Sequence, residues 1–399
     1  MNTQNVDHAK PYSGLRVLDL SQGVAGPYCG TILAEQGADV IKVEPPQGDW
    51  SRGLGKQING VTPLSFTYNV GKRSIVIDAQ QHHGRDLIVE LARTADIVIE
   101  SFRPGVMHRL GLSYETLSKQ RPGLIYVSIT AFGQDGPYAD RPGSDSTLQA
   151  LSGMMAVNRD DEGMPRKIGL LVADIGTGIY AAQAVGAALY AKLAHGVGAH
   201  IDLSLLQASA AFQGGAIVDS AFSNWQSVTP YSIPAGTFET ADGYINVTSL
   251  HNKMFIGLCE AIGKDDWISD PRFANPTNRF NEKETIYSEL RRILQQHVTS
   301  HWVNTLTLHG VVCGKVSNYR EFLNDPQVVN QEIFRTNAIP GLEQIPLARL
   351  PGLGKNNDFV RIPRRGEHTR QILVELGISE EKKAMLFDAK VVASWEGKE

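Results

Sequence analysis

Residues 15–46 read LRVLDLSQGVAGPYCGTILAEQGADVIKVEPP, and this stretch decides the fold that we predict. Residues 15–20 have the short, mostly apolar pattern of a buried strand. A turn rich in glycine and proline follows, and residues 28–36 are predicted to form a helix that ends at Gly37. Residues 39–43 form the next apolar run, which two prolines close. The stretch therefore predicts a β-α-β unit.

The same alternation of strand and helix patterns continues downstream. Further strands are predicted at 74–77, 96–99 and 124–129, and a helix is predicted at 84–95. Short strands that alternate with helices of ten or more residues are typical of a parallel, doubly wound α/β sheet. Because crossovers in such folds are right-handed, the turn after the first strand is expected at the carboxyl edge of the sheet, where these folds bind ligands.

The rest of the chain predicts a second, smaller domain. Residues 176–194 and 205–216 are rich in alanine and glycine, and we expect helices that are packed on all sides. A different pattern begins near residue 225, and residues 236–247 have the pattern of a hairpin that turns at Asp242-Gly243. We predict three segments: the N-terminal part of a large domain at 1–225, a small α+β domain at 226–330, and a C-terminal segment at 331–399 that returns to the large domain.

The composition excludes several classes of protein. The 399 residues include 38 basic and 42 acidic side chains, which gives a net charge of −4, so a nucleic-acid partner is not expected. No apolar run reaches the ~18 residues that a membrane-spanning helix needs, and no apolar signal-peptide core is found near the start. Three cysteines are too few for a disulfide framework and lack metal-site spacing. We predict a cytoplasmic enzyme without a membrane partner.

Familiar cofactor and nucleophile motifs are missing. The turn at residues 23–27 has the spacing G-x-x-G-P, whereas a dinucleotide site needs G-x-G-x-x-G at the start of a helix. The pair His82-His83, His195 and His200 lack the partners of a zinc site, so no metal is predicted. A G-x-S-x-G nucleophile elbow is also absent. A carboxylate is therefore the reactive group that we expect.

Asp174 is the candidate reactive group. It interrupts the apolar run LLVADIGTG at residues 170–178. One interpretation is structural, because an aspartate that opens a helix accepts hydrogen bonds from backbone amides as an N-cap. The other is chemical, because apolar neighbours desolvate the carboxylate and make it a stronger nucleophile, while Gly176 and Gly178 leave room for an acyl group. From the residues alone both interpretations stay open.

Several motifs, taken together, resemble the class III coenzyme A transferases, the CaiB/BaiF family that includes formyl-CoA transferase. They follow the family's order from AGP at 25–27, GADVIKVEP at 37–45, NVGKRS at 69–74 and ESFRPG at 100–105 through AFGQDGP at 131–137, RPGSD at 141–145 and DGYI at 242–245 to GEHT at 366–369. The resemblance implies a large Rossmann-like doubly wound domain built from both termini, a smaller α+β domain, and an interlocked homodimer.

The resemblance also implies a reaction and its site. Asp174 falls at the position of the family's catalytic aspartate, which takes up the donor's acyl group as a mixed anhydride and then carries CoA as an aspartyl-CoA thioester. Acyl-CoA and a carboxylic acid are then the substrates, with no further cofactor. The positions expected to contact CoA are Val24, Ala25, Ile77, Asp78, Ser101, Phe102, Arg103, Arg109, Gly143, Ser144 and Asp145. Whether Lys72 and Arg73 contact CoA stays open.

Departures from the family pattern concern the substrate. Related racemases carry a histidine where this chain has Ser144, so acyl-CoA:carboxylate CoA transfer is favoured over an acyl-CoA epimerase or an acyl-CoA lyase of the same fold. A CoA-binding protein without turnover is the third hypothesis. Val24 and Pro45 replace polar residues of formyl-CoA transferase, which favours another acid, such as the dicarboxylate succinate. The candidate partners for its far carboxylate are Arg166, Lys167 and residues 251–253.

Overall fold

The structure, a computed structural model, describes residues 10–160, 162–225, 232–339, 342–353 and 361–395. Contacts within the chain divide it into two units. The larger unit combines Met1–Gly214 with Glu332–Glu399, and the smaller unit is Gly215–Gln331. The corresponding boundaries in our sequence analysis are 225/226 and 330/331, so the first change of unit comes earlier than the change in sequence pattern.

The described residues contain twelve strands. These are β1 (Arg16–Asp19), β2 (Asp39–Glu44), β3 (Arg73–Ile77), β4 (Ile97–Glu100), β5 (Ile125–Thr130), β6 (Ala199–Ser204), β7 (Ala235–Glu239), β8 (Tyr244–Thr248), β9 (Val312–Lys315), β10 (Phe334–Ile339), β11 (Leu342–Ala348) and β12 (Val392–Ala393). Seven of them form the main sheet, in the order β12-β3-β2-β1-β4-β5-β6. All its neighbours are parallel except β12 and β3, which are antiparallel. The predicted α/β class with a parallel sheet is confirmed.

Nineteen α-helices and the two 3₁₀ turns Trp50–Gly53 and Pro271–Phe273 complete the described chain. The helices are α1 (Ala25–Glu35), α2 (Pro63–Asn69), α3 (His82–Thr94), α4 (Val106–Arg109), α5 (Tyr114–Gln120), α6 (Asp145–Leu151), α7 (Met154–Val157), α8 (Val172–His195), α9 (Leu205–Phe212), α10 (Gly214–Phe222), α11 (Asn252–Ile262), α12 (Asp266–Ser269), α13 (Pro276–Asn281), α14 (Lys283–Leu294), α15 (Thr299–Leu308), α16 (Tyr319–Leu323), α17 (Pro326–Asn330), α18 (Thr369–Glu375) and α19 (Glu380–Asp388).

The order of the strands reverses beside β1, and this reversal positions the site. The chain proceeds from β1 outward through β2 and β3, whereas β4, β5 and β6 extend the sheet in the other direction. Leu18 lies level with both Ile41 and Val98, so the ends of β1 and its two neighbours are aligned. The loops after β1 and β4 run to opposite faces of the sheet, and a crevice forms between them at its carboxyl edge.

Two apolar layers hold the main sheet between its helices. Alternate residues of a strand point to opposite faces, so Val17 and Val40 enter one layer and Leu18 and Ile41 enter the other. The first layer packs against α1 and α8, and the second packs against α3, α18 and α19. Burial of apolar surface stabilises this arrangement by ~25 cal/mol per Å², which explains why strands that are apolar on both faces occupy its centre.

Helices α1 and α8 approach each other closely because a small residue lies at their contact. A Cβ atom on Gly178 would lie 2.8 Å from the backbone oxygen of Ala25. The first helix also begins earlier than the predicted residue 28, with Pro27 in its first turn. Proline is tolerated there because the first amides of a helix have no partner within it.

Helix α8 differs from its prediction. It begins at Val172, and its buried residues form one stripe, while Ile179, Tyr190 and Leu193 are exposed in the single chain. The expectation of a helix packed on all sides is therefore wrong for the chain by itself. By length and composition α8 could also cross a membrane, which we did not anticipate, but core helices pass the same test and 44% of its apolar window is buried. The predicted helix at 205–216 is divided into α9 and α10.

The smaller unit has its own core and a three-stranded antiparallel sheet in the order β7-β8-β9. The predicted hairpin is confirmed, since Glu239 pairs with Tyr244 across the turn at Asp242-Gly243. Helices α11, α14 and α15 contribute Leu258, Leu290 and Leu306, each fully buried, to the core. An apolar core of this size explains why the segment forms a compact unit by itself.

The C-terminal segment completes one edge of the main sheet. Val392 of β12 pairs with Ile77 of β3. The Thr369 hydroxyl donates to the backbone oxygen of Ala393 at 2.7 Å and accepts from the amide of Val76 at 3.3 Å. The larger unit is therefore built from both ends of the described chain.

Candidate active site

A cavity of about 440 Å³ opens at the carboxyl edge of the main sheet, where the strand order reverses. Its walls come from the loops after β1, β4 and β5 and from the first turns of α6 and α8. Nine of the residues proposed from the sequence line it: Val24, Ala25, Ser101, Phe102, Arg103, Gly143, Ser144, Asp145 and Asp174. Residues that are far apart in the sequence are thus brought together at one site.

Buried charged side chains fix the loop after β1 through hydrogen bonds to its backbone. The Asp49 carboxylate accepts from the amide of Gly23 at 3.0 Å and pairs with the Lys42 ammonium at 2.9 Å. Lys42 also donates to the backbone oxygen of Ser21, whose amide donates to Asp19. Buried charges that are paired and hydrogen-bonded fix backbone geometry. This network therefore sets the position of the loop that Val24 continues.

Lys72 belongs to the same network and not to the cavity wall. Its ammonium is buried and donates to Asp19 at 2.8 Å, to the backbone oxygen of Pro27 at 2.7 Å and to that of Tyr68 at 2.9 Å. Burial lowers its pKa to about 8, against the opposing attraction of Asp19. Arg73 pairs with Asp39 at 2.6 Å. Both residues of the sequence motif therefore support the fold.

The loop after β4 is tied to the loop after β1. The Ser101 hydroxyl accepts from the amide of Gln22 at 3.0 Å, and the Glu100 carboxyl accepts from the amide of Phe102 at 2.8 Å. Burial raises the pKa of Glu100 to about 7. Gln22 and Glu100 were not among the residues proposed from the sequence, because a single polar residue at the end of a strand gives no signal of its partner.

Asp174 is the third residue of α8, so its interpretation as an N-cap is wrong. The N-cap position is Leu171, which supplies no side-chain hydrogen bond. The cap comes from α6, where the buried Asp145 carboxylate accepts from the amides of Ala173 at 2.8 Å and Asp174 at 3.3 Å. The Asp174 side chain is therefore free to line the cavity.

The environment of Asp174 disfavours its ionised form. Burial, followed by the nearby charge of Asp145, raises the pKa of Asp174 from its ordinary value of 3.8 to about 7. Tyr68 lies close enough to both carboxylates for their charges to add to the effect of burial, which raises the pKa of this phenol to about 12. A carboxylate with such a perturbed pKa in a crevice is typical of a functional group.

Ser144 and the two glycines near Asp174 have local structural roles. Ser144 is the N-cap of α6, and its hydroxyl lies 3.0 Å from that of Thr147. Gly178 faces α1, and neither it nor Gly176 lines the cavity. The expectation that both glycines leave room for an acyl group is wrong. Gly178 serves the close packing of α8 on α1, and Gly176 is buried in α8, where a Cβ would make only an ordinary contact with Phe212 at 3.9 Å.

Three proposed CoA contacts lie outside this cavity. Ile77 and Asp78 line an adjoining cavity of about 300 Å³ that shares Gln22 and Phe102 with the first. Arg109 is exposed and lines neither cavity. It ends the short helix α4, and its guanidinium lies against Gly105 at the N-cap of that helix.

Two further residues that line the cavity, Trp50 and Arg141, were not singled out from the sequence. Trp50 lines the first cavity and is 51% exposed, and a side chain on Gly23 would overlap its indole. Gly23 also has a φ of +86°, so glycine is required there for two reasons. Arg141 lines the cavity with its guanidinium 3.8 Å above the Tyr138 ring.

Two of the cations expected to contact a second carboxylate, Arg166 and Lys167, do not line the cavity of the larger unit. Arg166 is exposed and pairs with Asp160 at 2.6 Å. His251 of the smaller unit caps α11 by accepting from the amide of Met254. Within the described residues, the cations that line the cavity are Arg103 and Arg141.

One group of metal-type ligands lies outside both cavities. His82, His83 and Asp86 present ligand atoms within 4.8 Å of one another on the exposed first turns of α3. Asp86 lies one helical turn after His82, and the sequence pattern around the two histidines did not indicate it as their partner. The described residues of the two cavities contain no such group.

Comparisons with known proteins identify the class. The model of CoA-transferase family III matches residues 12–369, and the chain belongs to this family. It is 36% identical to the succinate–glutarate CoA-transferase of Agrobacterium fabrum over 392 residues, which cover 92% of this chain and 96% of that protein. It is 35% identical to the acetyl-CoA:oxalate CoA-transferase of Acetobacter aceti, over 79% of this chain and 83% of that protein.

Solved structures agree. A CaiB/BaiF family protein from Brucella suis matches with a TM-score of 0.81 and 31% identity, over 92% of this chain and 99% of that one. Rv3272 from Mycobacterium tuberculosis matches with a TM-score of 0.80 and 31% identity, over 91% and 98% of the two chains. The resemblance inferred from the motifs is confirmed, and the chain is an enzyme of the CoA-transferase class.

Proposed function

We propose that the protein is an acyl-CoA:carboxylate CoA-transferase in which Asp174 is the nucleophile. The observation that carries the proposal is the setting of this carboxylate, which lines the crevice at the reversal of the sheet and has a pKa raised to about 7. A desolvated carboxylate is a stronger nucleophile than one in water. The positive end of the α8 dipole lies beside it and favours the ionised form that attacks.

The proposed reaction passes the acyl group and CoA across one aspartate. A carboxylate oxygen of Asp174 attacks the thioester carbonyl of the donor, the C–S bond breaks, and a mixed anhydride and CoA thiolate form. The thiolate attacks the aspartyl carbonyl, which releases the donor acid and leaves an aspartyl-CoA thioester. The acceptor carboxylate attacks the aspartyl carbonyl of this thioester, the C–S bond breaks, and a second mixed anhydride and CoA thiolate form. The thiolate attacks the acceptor's carbonyl in this anhydride, which yields the product acyl-CoA and frees the Asp174 carboxylate. Each step exchanges one activated acyl bond for another, so no ATP is consumed.

The two adjoining cavities suit the two ends of CoA. The first holds Asp174 and is lined by Gly143 and Ser144, which we assign to the pantetheine arm. The second is mostly apolar and contains Ile77 and Asp78, which we assign to the adenosine. Phe102 lines both and offers an aromatic face between them. Arg103 is then the candidate partner for a phosphate.

A dicarboxylate is the acceptor class that we favour. Two relatives are named for succinate and glutarate or for oxalate, and all three acids are dicarboxylates. A second carboxylate must find a cation or amides when it leaves water, since an unpaired buried charge costs several kcal/mol. Arg141 is exposed in the single chain, but it lines the cavity with its guanidinium 3.8 Å from the Tyr138 ring, so it replaces Arg166 and Lys167 as our candidate for this contact.

An interlocked homodimer, implied by the resemblance, is part of the proposal. It is supported by the large apolar side chains that α8 exposes in the single chain, Ile179, Tyr190 and Leu193, since exposed apolar patches mark interaction surfaces. A folded monomer in a light-scattering dilution series would contradict the dimer. We also propose a cytoplasmic location, which fits the free state of Cys29, Cys259 and Cys313.

Substitution of the aspartate tests the reaction. Asp174→Ala should lose transfer from succinyl-CoA to glutarate or oxalate by at least a thousandfold and still bind CoA. In the wild type, hydroxylamine added with acyl-CoA should convert Asp174 to a hydroxamate, which peptide mass spectrometry locates. Asp388→Ala, at an exposed position of α19, is the matched control. Normal turnover by Asp174→Ala would refute the proposal, and α-proton exchange without transfer would support an epimerase instead.

A further inference from the structure

Gln149 lies in α6, one turn after Asp145, and is fully buried. It does not line the cavity. Its side-chain nitrogen donates to the Asp145 carboxylate at 2.6 Å and to the backbone oxygen of Leu170 at 3.0 Å. Its side-chain oxygen accepts from the amide of Ile168 at 2.9 Å. Both amide hydrogens and the oxygen are therefore used inside the protein.

The pattern of these bonds requires a glutamine. The amide of Ile168 and the backbone oxygen of Leu170 point to the same side of the chain, so they offer Gln149 one donor and one acceptor. Extended backbone presents the same pair of groups to a neighbouring β-strand. Only a carboxamide offers an acceptor and two donors in one plane, so it can meet Ile168, Leu170 and the carboxylate together. Glutamate lacks the donors, and asparagine is shorter by one methylene group.

The Asp145 carboxylate connects Gln149 to the backbone of Asp174 by hydrogen bonds. One oxygen of Asp145 receives the bond from Gln149, and the other accepts the amides of Ala173 and Asp174 at 2.8 and 3.3 Å. The backbone that enters α8 is thus fixed at residues 168, 170, 173 and 174 by two side chains of α6. Since α8 has no cap of its own, these bonds determine where its first turn begins.

We propose that Gln149 is a positioning residue for CoA transfer: it holds the Asp145 carboxylate and the segment before α8 and thereby places Asp174 in the cavity. The inference rests on the proposed function of Asp174 as the nucleophile. Gln149 is fully buried and does not line the cavity, so we expect its effect to fall on the chemical steps. Reactions at an oriented nucleophile are sensitive to displacements near 1 Å, which can cost ~10²-fold in rate.

The test compares Gln149→Met with Gln213→Met in the full-length protein. Methionine keeps the volume of glutamine and removes its hydrogen bonds. Gln213 is the matched control, because its side chain donates to the backbone oxygens of Ser152 and Ser209 without any bond to the Asp145 network. The readouts are kcat and KM for succinyl-CoA with glutarate, and the single-turnover rate at which the acylated enzyme forms.

We expect Gln149→Met to lower kcat and the acylation rate at least tenfold, with KM for acyl-CoA changed less than threefold and Gln213→Met close to wild type. Should Gln149→Met not fold, Gln149→Asn is measured against the same expectation. Wild-type kcat in a folded Gln149 variant, or equal losses in kcat and in bound acyl-CoA, would overturn the assignment. Asp174→Asn is assayed in parallel: if that variant turns over, the proposed function itself fails, which is a separate result.

Discussion

Replacement of Asp174 by asparagine should stabilise the folded protein at neutral and alkaline pH. Folding raises the pKa of this carboxyl from 3.8 to about 7, so the folded state holds the proton more tightly than the unfolded chain. Between these two values the folded state therefore binds more protons, and stability falls as the pH rises. The loss of folding stability that the ionised Asp174 causes is absent below pH 3.8, grows up to about pH 7, and is constant above about pH 7.

The magnitude follows from the size of this shift. A change of about three pKa units corresponds to at most ~4 kcal/mol, and the partial exposure of Asp174 reduces this to about 2 kcal/mol. Asparagine keeps the shape and carries no charge, so the free energy of unfolding of Asp174→Asn should exceed that of the wild type by about 2 kcal/mol at pH 8 and by almost nothing at pH 4.

Urea denaturation at several pH values measures this difference, with the exposed Asp388→Asn as the control for the substitution itself. In the wild type, kcat/KM for acyl-CoA should rise with pH through about 7, because the ionised Asp174 is the attacking form. A stability difference that is independent of pH, or one that is largest at pH 4, would refute the view that Asp174 is desolvated beside Asp145.

Four further predictions concern other residues. Arg141→Gln should raise KM for a dicarboxylate acceptor more than tenfold and for a monocarboxylate by less than threefold, since a charged partner is worth ~2–5 kcal/mol when buried; equal effects in steady-state assays would exclude this contact. Lys72→Met should lower the free energy of unfolding in urea by about 3 kcal/mol because it leaves the Asp19 carboxylate with less compensation, and a neutral result would contradict the network. Phe102→Ala should weaken CoA binding in calorimetry about tenfold through the loss of an aromatic contact, whereas unchanged affinity would move CoA away from the second cavity. Ser144→His should not produce exchange of the substrate's α-proton in deuterium oxide, and exchange detected by NMR would reopen the epimerase alternative.

The strands of the main sheet could be predicted because each is a short apolar run, and apolar runs depend on local sequence alone. The turn at Asp242-Gly243 was predictable for the same reason, since the turn chemistry lies within the hairpin. The start of α8 was not predictable. Its cap is a tertiary contact from Asp145, and a sequence pattern around residues 170–178 contains no sign of a partner 29 residues upstream.

The candidate site, too, could be predicted only where local sequence and strand order determine it. Residues in the motifs at 100–105 and 141–145 meet in one cavity because strand order brings their loops together, which the doubly wound pattern implies. Arg109 and Arg166 were proposed as ligand contacts from their charge and position. Whether an arginine faces a cavity or the solvent depends on its place in a short helix or on an ion-pair partner such as Asp160, and neither is encoded in the spacing of the motifs.

The antiparallel strand β12 has a consequence for how the protein is made. During synthesis the outer edge of β3 emerges from the ribosome long before the residues that cover it, because Val392, the partner of Ile77, is translated more than three hundred residues later. At ~5–20 residues per second this interval lasts tens of seconds. Throughout that time a nascent chain presents an open apolar strand, so its yield in a cell should depend on chaperones that shield strand edges.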